Sequence, residues 1–280
     1  KFPLIRCDFH FDPLGWVSES NGGHEHTPAN YVIGQIDFTS NTANALADNA
    51  KNLNKPSGLK VIDNKLFVAD RNNNRVVIFD LPIQQNSPSA TFAIGQTTVS
   101  SINPGGNAAN QLLGPVNIAS DGSTLAIVEI TGNRVKVFNT IPSSSGPTAD
   151  FVIGANDFGD APEAPFTPYT TFSGFQKSAA IFDGRLHVVD NGYNRIKVWN
   201  LASISSGAPP NQCIGQSDWN TSSNILGKDN GTKFKNLKFP SVLKRDDKYT
   251  WIADTYNSRL IRIKNEAFAE YLETPFVSIN

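Results

Sequence analysis

Residues 70–79 read DRNNNRVVIF, which is an acid, a polar turn, an arginine and then an apolar run that is typical of a strand. The same order returns at residues 129–138, 190–199 and 254–263. In each copy the arginine stands five residues after the acid, and the four pairs are Asp70 and Arg75, Glu129 and Arg134, Asp190 and Arg195, and Asp254 and Arg259. Because repetition at a fixed period is the signature of repeat architectures, this pattern decides the fold class before any single motif does.

A second signal repeats in phase with the first. Four runs end in Ile-Gly, namely YVIG, FAIG, FVIG and QCIG, and they place their glycines at Gly34, Gly95, Gly154 and Gly215. The three intervals between successive glycines are nearly equal. The chain is therefore built from units of one length, and each unit carries both signals in the same order.

Each unit predicts a four-stranded antiparallel meander. Two strand-like runs precede each acid, and we expect two-residue hairpins between them because the turns begin with aspartates that tolerate left-handed backbone, at Asp63, Asp121, Asp183 and Asp246. The run after the arginine and the Ile-Gly run supply the third and fourth strands, and polar loops lead to the next unit. Four-stranded units repeated without helices between them predict an all-β fold, a β-propeller of four-stranded blades.

The order of these residues resembles the NHL-repeat β-propeller family. The likeness depends on KPSG at 55–58, on VAD followed by NNNRV at 68–76, and on the VIGQ run at 32–35, and it extends over residues 29–265. The resemblance implies a propeller fold. It implies no single activity, because NHL propellers include modules that bind proteins, RNA or other ligands as well as a few enzymes.

The spacing of the repeat predicts five blades in a single domain. The first three complete units share one interval from arginine to closing glycine, and the same interval from Arg259 reaches Ile279, so the last unit is expected to contain its own outer strand in PFVSI. YVIG then closes an earlier, degenerate blade whose third strand we expect in LGWVS at 14–18. The expected blades are residues 1–35, 53–97, 112–156, 174–217 and 237–280. Six blades would require sequence upstream, and the absence of Met indicates a processed chain or a fragment.

The acid–arginine pairs are interpreted as structural. In a meander the acid that ends the second strand and the arginine that opens the third strand face each other across the hairpin, where a bidentate pair would hold the turn. A catalytic pair is needed once, whereas this pair returns in every unit. We therefore assign no catalytic residue.

The histidines give two alternatives. His187 occupies a position held by Phe67, Ala126 and Trp251 in the other units, which predicts packing between blades. His10, His24 and His26, together with Cys7, could form a zinc site, or they could be solvated loop residues. For calcium, Asn117 could line the channel and hold a cation with backbone carbonyls. Zinc or calcium thus remains open as a cofactor.

The cysteines and the loop aromatics also leave alternatives open. Cys7 and Cys213 could form one disulfide in an oxidising compartment, or both could be buried thiols. Phe38, Phe158 and Trp219 follow the Ile-Gly runs. They could pack beneath the long loops or form a rim that binds glycans or peptides.

The composition argues against two classes of function, nucleic-acid binding and membrane spanning. With 24 Lys and Arg against 25 Asp and Glu, the chain lacks the basic footprint of a nucleic-acid-binding protein, and no apolar stretch is long enough to span a bilayer. The leading hypothesis is a non-enzymatic protein-interaction or assembly module outside the cytoplasm. An incomplete blade leaves backbone groups open, which another chain can complete by adding a strand. The alternatives are a metal-dependent lyase or hydrolase with its site in the central channel, and a glycan- or peptide-binding module.

Overall fold

The computed structural model describes residues 29–159, 171–173, 178–216, 237–271 and 276–277. The chain divides into two compact units, Lys1–Asn30 and Tyr31–Asn280. Apart from Ala29 and Asn30, every described residue belongs to the second unit. The expected site residues Cys7, His10, His24 and His26 lie outside the described residues.

The described strands form four sheets in chain order. Sheet 1 consists of β1 (Pro56–Ile62), β2 (Lys65–Asp70), β3 (Arg75–Asp80) and β4 (Phe92–Ile94). Sheet 2 consists of β5 (Pro115–Ser120), β6 (Leu125–Glu129), β7 (Arg134–Phe138) and β8 (Phe151–Ile153). Sheet 3 consists of β9 (Ser178–Phe182), β10 (Arg185–Asp190), β11 (Arg195–Asn200) and β12 (Gln212–Ile214). Sheet 4 consists of β13 (Pro240–Arg245), β14 (Tyr249–Asp254) and β15 (Arg259–Lys264).

Helical segments in the described residues are short. One α-helix, α1 (Asn265–Tyr271), follows β15. The 3-10 turns are Asn49–Lys51, Arg71–Asn73, Asn191–Tyr193, Leu201–Ser203 and Thr255–Asn257. None of the described helices is long and apolar enough to cross a membrane.

The repeated acid and arginine form the first cross-strand pair beyond the hairpin in every sheet, as Asp70 does with Arg75. The residue just before each arginine has left-handed backbone, and these residues are Asn74, Asn133, Asn194 and Ser258. Asparagine adopts this conformation more readily than most residues. The repeated Asn-Arg dipeptide therefore has a local cause.

The predicted two-residue hairpins occur in two of the sheets. Asp63 and Asn64 connect β1 to β2, and Asp183 and Gly184 connect β9 to β10, with φ of 50° at Asp63 and 51° at Asp183. The prediction is wrong for the other two, where the loops are longer. There the carboxylates of Asp121 and Asp246 accept the backbone N–H groups two and three residues onward, which favours a wider turn.

The expected outer strand of the last unit is found beside another sheet. Phe276–Val277 forms β16, which pairs in parallel with β12 of sheet 3 and not with β15. The physical reason lies in α1, because its Phe268 packs into the hydrophobic cluster shared by sheets 3 and 4. The helix thus replaces the turn that would have returned the chain along β15.

The sheets pack in series through two distinct faces. The forward face of a sheet is defined by four side chains. Two lie on the second strand, one and three residues before the acid, and two lie on the third strand, one and three residues after the arginine. In sheet 1 they are Phe67, Ala69, Val76 and Ile78. The opposite side is the backward face. The forward face of sheet 1 packs on the backward face of sheet 2, and the same arrangement joins sheet 2 to sheet 3 and sheet 3 to sheet 4. The predicted fold class, an all-β protein of propeller-type blades, is confirmed.

Candidate functional site

The acid–arginine pair of sheet 1 joins three parts of the chain. The Nε atom of Arg75 donates to Oδ2 of Asp70 at 2.8 Å, and both side chains are fully buried. The other carboxylate oxygen, Oδ1, accepts the backbone N–H of Asn54 at 2.6 Å. The acid therefore connects the hairpin to the loop that precedes β1.

The remaining nitrogens of Arg75 bind backbone carbonyls. Nη2 donates to the carbonyls of Asn49 and Asn52, each at 2.9 Å, and Nη1 donates to that of Val99 at 2.6 Å. The expected bidentate contact with the acid is thus absent in this pair. The guanidinium instead divides its donors between the acid and the loops on either side of the sheet, which leaves its buried N–H groups satisfied.

The other sheets repeat this arrangement with variations. The acid accepts a backbone N–H from the preceding loop in each of them, from Leu113, Ser173 and Lys238. The Nε of Arg134 lies 2.5 Å from Oε2 of Glu129, and the Nε of Arg259 lies 2.6 Å from Oδ2 of Asp254. In sheet 3 the Nε of Arg195 is 4.0 Å from Asp190, and Lys197 Nζ approaches the same oxygen at 3.1 Å.

Burial shapes the electrostatics of the pair in sheet 2. Desolvation raises the pKa of Glu129, although Lys136 and Arg134 oppose that change. Desolvation also lowers the pKa of Lys136 to about 8. Glu129, Arg134 and Lys136 are fully buried. Glu129 and Lys136 also bind the backbone of Leu113 and Ala108, so this internal group of charges connects loops to the sheet.

Asparagines connect neighbouring sheets. The Oδ1 of Asn74 accepts the N–H of Gly114, which precedes the first strand of sheet 2, at 3.0 Å. Likewise the Oδ1 of Asn194 accepts the N–H of Phe239, which precedes the first strand of sheet 4, at 2.8 Å. Asn133 donates to the carbonyl of Phe172 at 3.0 Å. Ser258, in the last sheet, stands where the others have asparagine, and it has no following sheet among the described residues.

His187 lies in the interior between sheets 3 and 4. Its ring stacks on Phe182 with centroids 4.0 Å apart and lies 5.8 Å from Phe268. Complete burial lowers the pKa of His187 to about 3, so the imidazole is neutral at physiological pH. This is the packed position that the sequence comparison of the units predicts.

Cys213 is a buried free thiol, and burial raises its pKa to about 11. Its expected partner, Cys7, lies outside the described residues. The three histidines of the expected metal site lie outside them as well. Within the described ranges, no group of three or more His, Cys, Asp or Glu side chains is arranged to hold a metal.

The other singled-out residues have different environments. The Oδ1 of Asn117 accepts the N–H of Ala179 at 3.1 Å, so it joins β5 to β9. Phe158 packs against the core between sheets 1 and 2, whereas Phe38 is 56% exposed. Trp219 lies outside the described residues. Packing beneath the loops therefore describes Phe158 but not Phe38.

The forward face of sheet 4 is the largest departure from the repeat. In sheets 1 to 3 every forward-face side chain has an exposed fraction of 0%, from Phe67 in sheet 1 to Val198 in sheet 3. In sheet 4 the corresponding residues are Trp251, Ala253, Leu260 and Arg262, and Leu260 is 72% exposed. Among the described residues no strand pairs with the outer edge of β15.

This uncovered surface combines apolar, aromatic and basic groups. Arg262 lies over the ring of Tyr249 at 4.6 Å and over that of Trp251 at 5.8 Å. Trp251 Nε1 donates to Asp246 at 2.7 Å, which fixes the indole. This surface is not among the predicted site residues, although the sequence carries a signal: residues 260–264 read LIRIK, with basic residues at 262 and 264, where residues 76–79 read the continuously apolar VVIF.

Comparison with solved structures finds several of low identity. The crystal structure of Myxococcus xanthus glutaminyl cyclase is 12% identical with a TM-score of 0.41, covering 80% of this chain and 68% of that one. A streptogramin B lyase structure is 14% identical with a TM-score of 0.39, covering 76% of this chain and 52% of that one. The computationally designed Ika4 protein is 10% identical with a TM-score of 0.40, covering 75% of this chain and 90% of that one.

The sequence was also compared with curated proteins and with protein families. No curated protein matches the chain. Residues 53–79, which extend from just before β1 into β3, match the NHL repeat. The chain thus carries an NHL repeat where the resemblance predicts one, and this match is consistent with an NHL-repeat β-propeller.

Proposed function

We propose that the protein is a non-enzymatic interaction or assembly module that binds a protein partner through the forward face of sheet 4. The observation that supports this most is the 72% exposure of Leu260, since the residues at its position in the other sheets, Val76, Val135 and Ile196, are completely buried. An apolar side chain that the repeat elsewhere covers with another sheet is a natural contact for a protein surface.

The edge of β15, which no strand of the described residues covers, supports the same proposal. An unpaired edge strand offers a row of backbone donors and acceptors to a strand of another chain. Main-chain hydrogen bonds would provide affinity, and the side chains of the forward face would provide specificity. The basic residues Lys244, Arg262 and Lys264, which are exposed, favour a partner with acidic groups at the rim of the contact.

Photo-cross-linking from position 260 tests the proposal. A photoreactive amino acid replaces Leu260 in the cells that produce the protein, and the matched control replaces Tyr256, which is 62% exposed but lies in the turn outside the forward face. We expect covalent protein adducts at position 260, with the cross-linked peptide identified by mass spectrometry. Adducts no more abundant than at position 256 would contradict the proposal.

A location outside the cytoplasm remains part of the proposal. It rests on the hypothesis that Cys7 and Cys213 pair in an oxidising compartment, whereas the structure has Cys213 as a free buried thiol. Alkylation of the unfolded protein without reductant, followed by mass spectrometry, should leave both cysteines unlabelled. Labelling of both would remove this support.

A further inference from the structure

Residues 31–34 occupy the position that an outer strand takes on the following sheet. At Gly95, which follows outer strand β4, an added Cβ would lie 2.6 Å from Leu112 beside sheet 2. At Gly34 an added Cβ would lie 2.8 Å from Leu53, which packs on the backward face of sheet 1. Ile33 packs against the same cluster. The segment therefore lies on sheet 1 as β4 lies on sheet 2.

The backbone contacts of this segment repeat those of true outer strands. The carbonyl of Val32 accepts the N–H of Ser87 at 2.8 Å, and its N–H donates to Asn86 Oδ1 at 3.0 Å. The middle residues of β4 and β8 make the same pair of bonds to the corresponding loop of the next unit: Ala93 with Gly146 and Ser145, and Val152 with Gly207 and Ser206. Residues 31–34 are thus held as an outer strand on one side.

Residues 31–34 differ from β4 and β8 in the strand pairing along their other edge. β4 pairs with β3 and β8 pairs with β7, but among the described residues no third strand pairs with residues 31–34. The third strand expected at residues 14–18 lies outside the described residues. Sheet 4 is the opposite case, because it contains a third strand, β15, but no outer strand in the described part of the chain. Among the described residues, each end of the series therefore has the strand for which the other end has no partner.

We propose that residues 31–34 of one copy of the chain form the outer strand of sheet 4 in a second copy. This inference depends on the proposed function, because it names the partner of that same surface. The forward face of sheet 4 then packs on the backward face of sheet 1 of the neighbour, which is the contact that already joins the sheets within the chain.

The repeat also fixes the register of this pairing. The residue after the arginine pairs with the isoleucine before the glycine in each of the first three sheets: Val76 with Ile94, Val135 with Ile153, and Ile196 with Ile214. Leu260 is therefore placed opposite Ile33 of the second copy. Within a single chain this contact is absent, since Leu260 is 72% exposed.

The contact is head to tail, and such contacts form rings when the rotation closes. Two copies, each contributing the four described sheets, would place eight sheets in one ring, which lies within the range of about four to eight blades that propellers adopt. We therefore expect a closed assembly of two chains.

A thiol cross-link between two batches of the full chain tests the register. Both batches carry Cys7→Ser and Cys213→Ala, one adds Ile33→Cys and the other adds Leu260→Cys. Opposite Cβ atoms in a sheet are about 4.5–5.5 Å apart, which a short bifunctional reagent spans. The control batch carries Tyr256→Cys, a residue of similar exposure outside the forward face. Circular dichroism like that of the parent chain verifies that each variant is folded.

We expect a covalent product of two chains from Ile33→Cys mixed with Leu260→Cys, in a yield at least about tenfold above the Tyr256→Cys control. A yield equal to that control would overturn the proposal. A cross-link confined to monomer mass in a chain that carries both cysteines would also overturn it, since residues 31–34 would then cover β15 of their own chain. Photo-adducts from position 260 to a different protein would leave the proposed function intact and refute only the second copy.

Discussion

The Nε of Arg75 lies 2.8 Å from Oδ2 of Asp70, and neither side chain is exposed to solvent. Replacing Arg75 with Met would leave the carboxylate buried without its cation. It would also release the four loop carbonyls that the guanidinium binds, those of Asn49, Asn52, Val99 and Ser101. We expect Arg75→Met to lower the free energy of unfolding by about 3–5 kcal/mol, measured by urea denaturation.

A surface pair of the same sheet is the matched control. Lys65 and Asp80 also form an ion pair, but both side chains are well exposed. Asp80→Asn should change the free energy of unfolding by less than about 1 kcal/mol. Equal losses for the two variants would refute the interpretation of the buried pair as a structural connection.

The glycine that closes each unit is predicted to be irreplaceable for two separable reasons. Gly95 has φ of +90°, and an added Cβ would overlap Leu112 at 2.6 Å. Gly122 has a similar φ of +95° with nothing within 4 Å, so Gly122→Ala measures the backbone strain alone. We expect Gly95→Ala to cost about 1–3 kcal/mol more than Gly122→Ala in the free energy of unfolding, because of overpacking. Similar costs would show that contact with Leu112 is unimportant.

The asparagine before the arginine is predicted to connect adjacent sheets. Asn74→Gly retains the left-handed backbone but removes the acceptor for the N–H of Gly114, and we expect a loss of about 1–3 kcal/mol for the unsatisfied donor. The control is Ser258→Gly, at the same backbone position in the last sheet, where φ is 52°. This substitution should be nearly neutral in thermal denaturation. A neutral Asn74→Gly would mean that the bond to Gly114 adds no stability.

The burial of His187 predicts that the free energy of unfolding depends on pH. Its pKa is lowered by burial to about 3 in the folded protein, against 6.5 for the free side chain. Below pH 6.5 the unfolded chain binds a proton that the folded chain does not, so acid favours unfolding. Relative to His187→Phe, which copies Phe67 of sheet 1, the wild-type chain should lose about 2 kcal/mol of stability between pH 6.5 and pH 5. Parallel stability curves for the two proteins would contradict this burial effect.

The repeated elements could be predicted well from the sequence because their causes are local. The acid, the left-handed asparagine and the arginine define each hairpin within one short stretch, so their spacing is enough to locate the strands that flank it. A strand also begins at the expected interval in the last segment, since β16 starts as far after Arg259 as β4 starts after Arg75. Its predicted partner was wrong because α1 redirects the chain, which is a tertiary effect that spacing does not report.

The candidate surface was harder to predict for the same reason. The basic residues Arg262 and Lys264 mark a local departure from the repeat, but the exposure of Leu260 itself depends on what covers the forward face of sheet 4. For Arg75 the sequence predicted the contact with the acid but not the bonds to loop carbonyls. Those carbonyls lie in two separate loops, with Asn49 and Asn52 before β1 and Val99 after β4. Long-range contacts of this kind require coordinates.

The mass of the intact protein in solution, measured by light scattering, tests most directly whether sheet 4 is an assembly surface. We expect the wild-type chain to approach twice its 30.4 kDa as its concentration rises, and Leu260→Asp to remain at 30.4 kDa. Tyr256→Asp, which adds the same charge outside the forward face, should behave as the wild type. A wild-type protein that stays at the mass of a single chain at every concentration, or a Leu260→Asp variant that associates as well as the wild type, would contradict assembly through this surface.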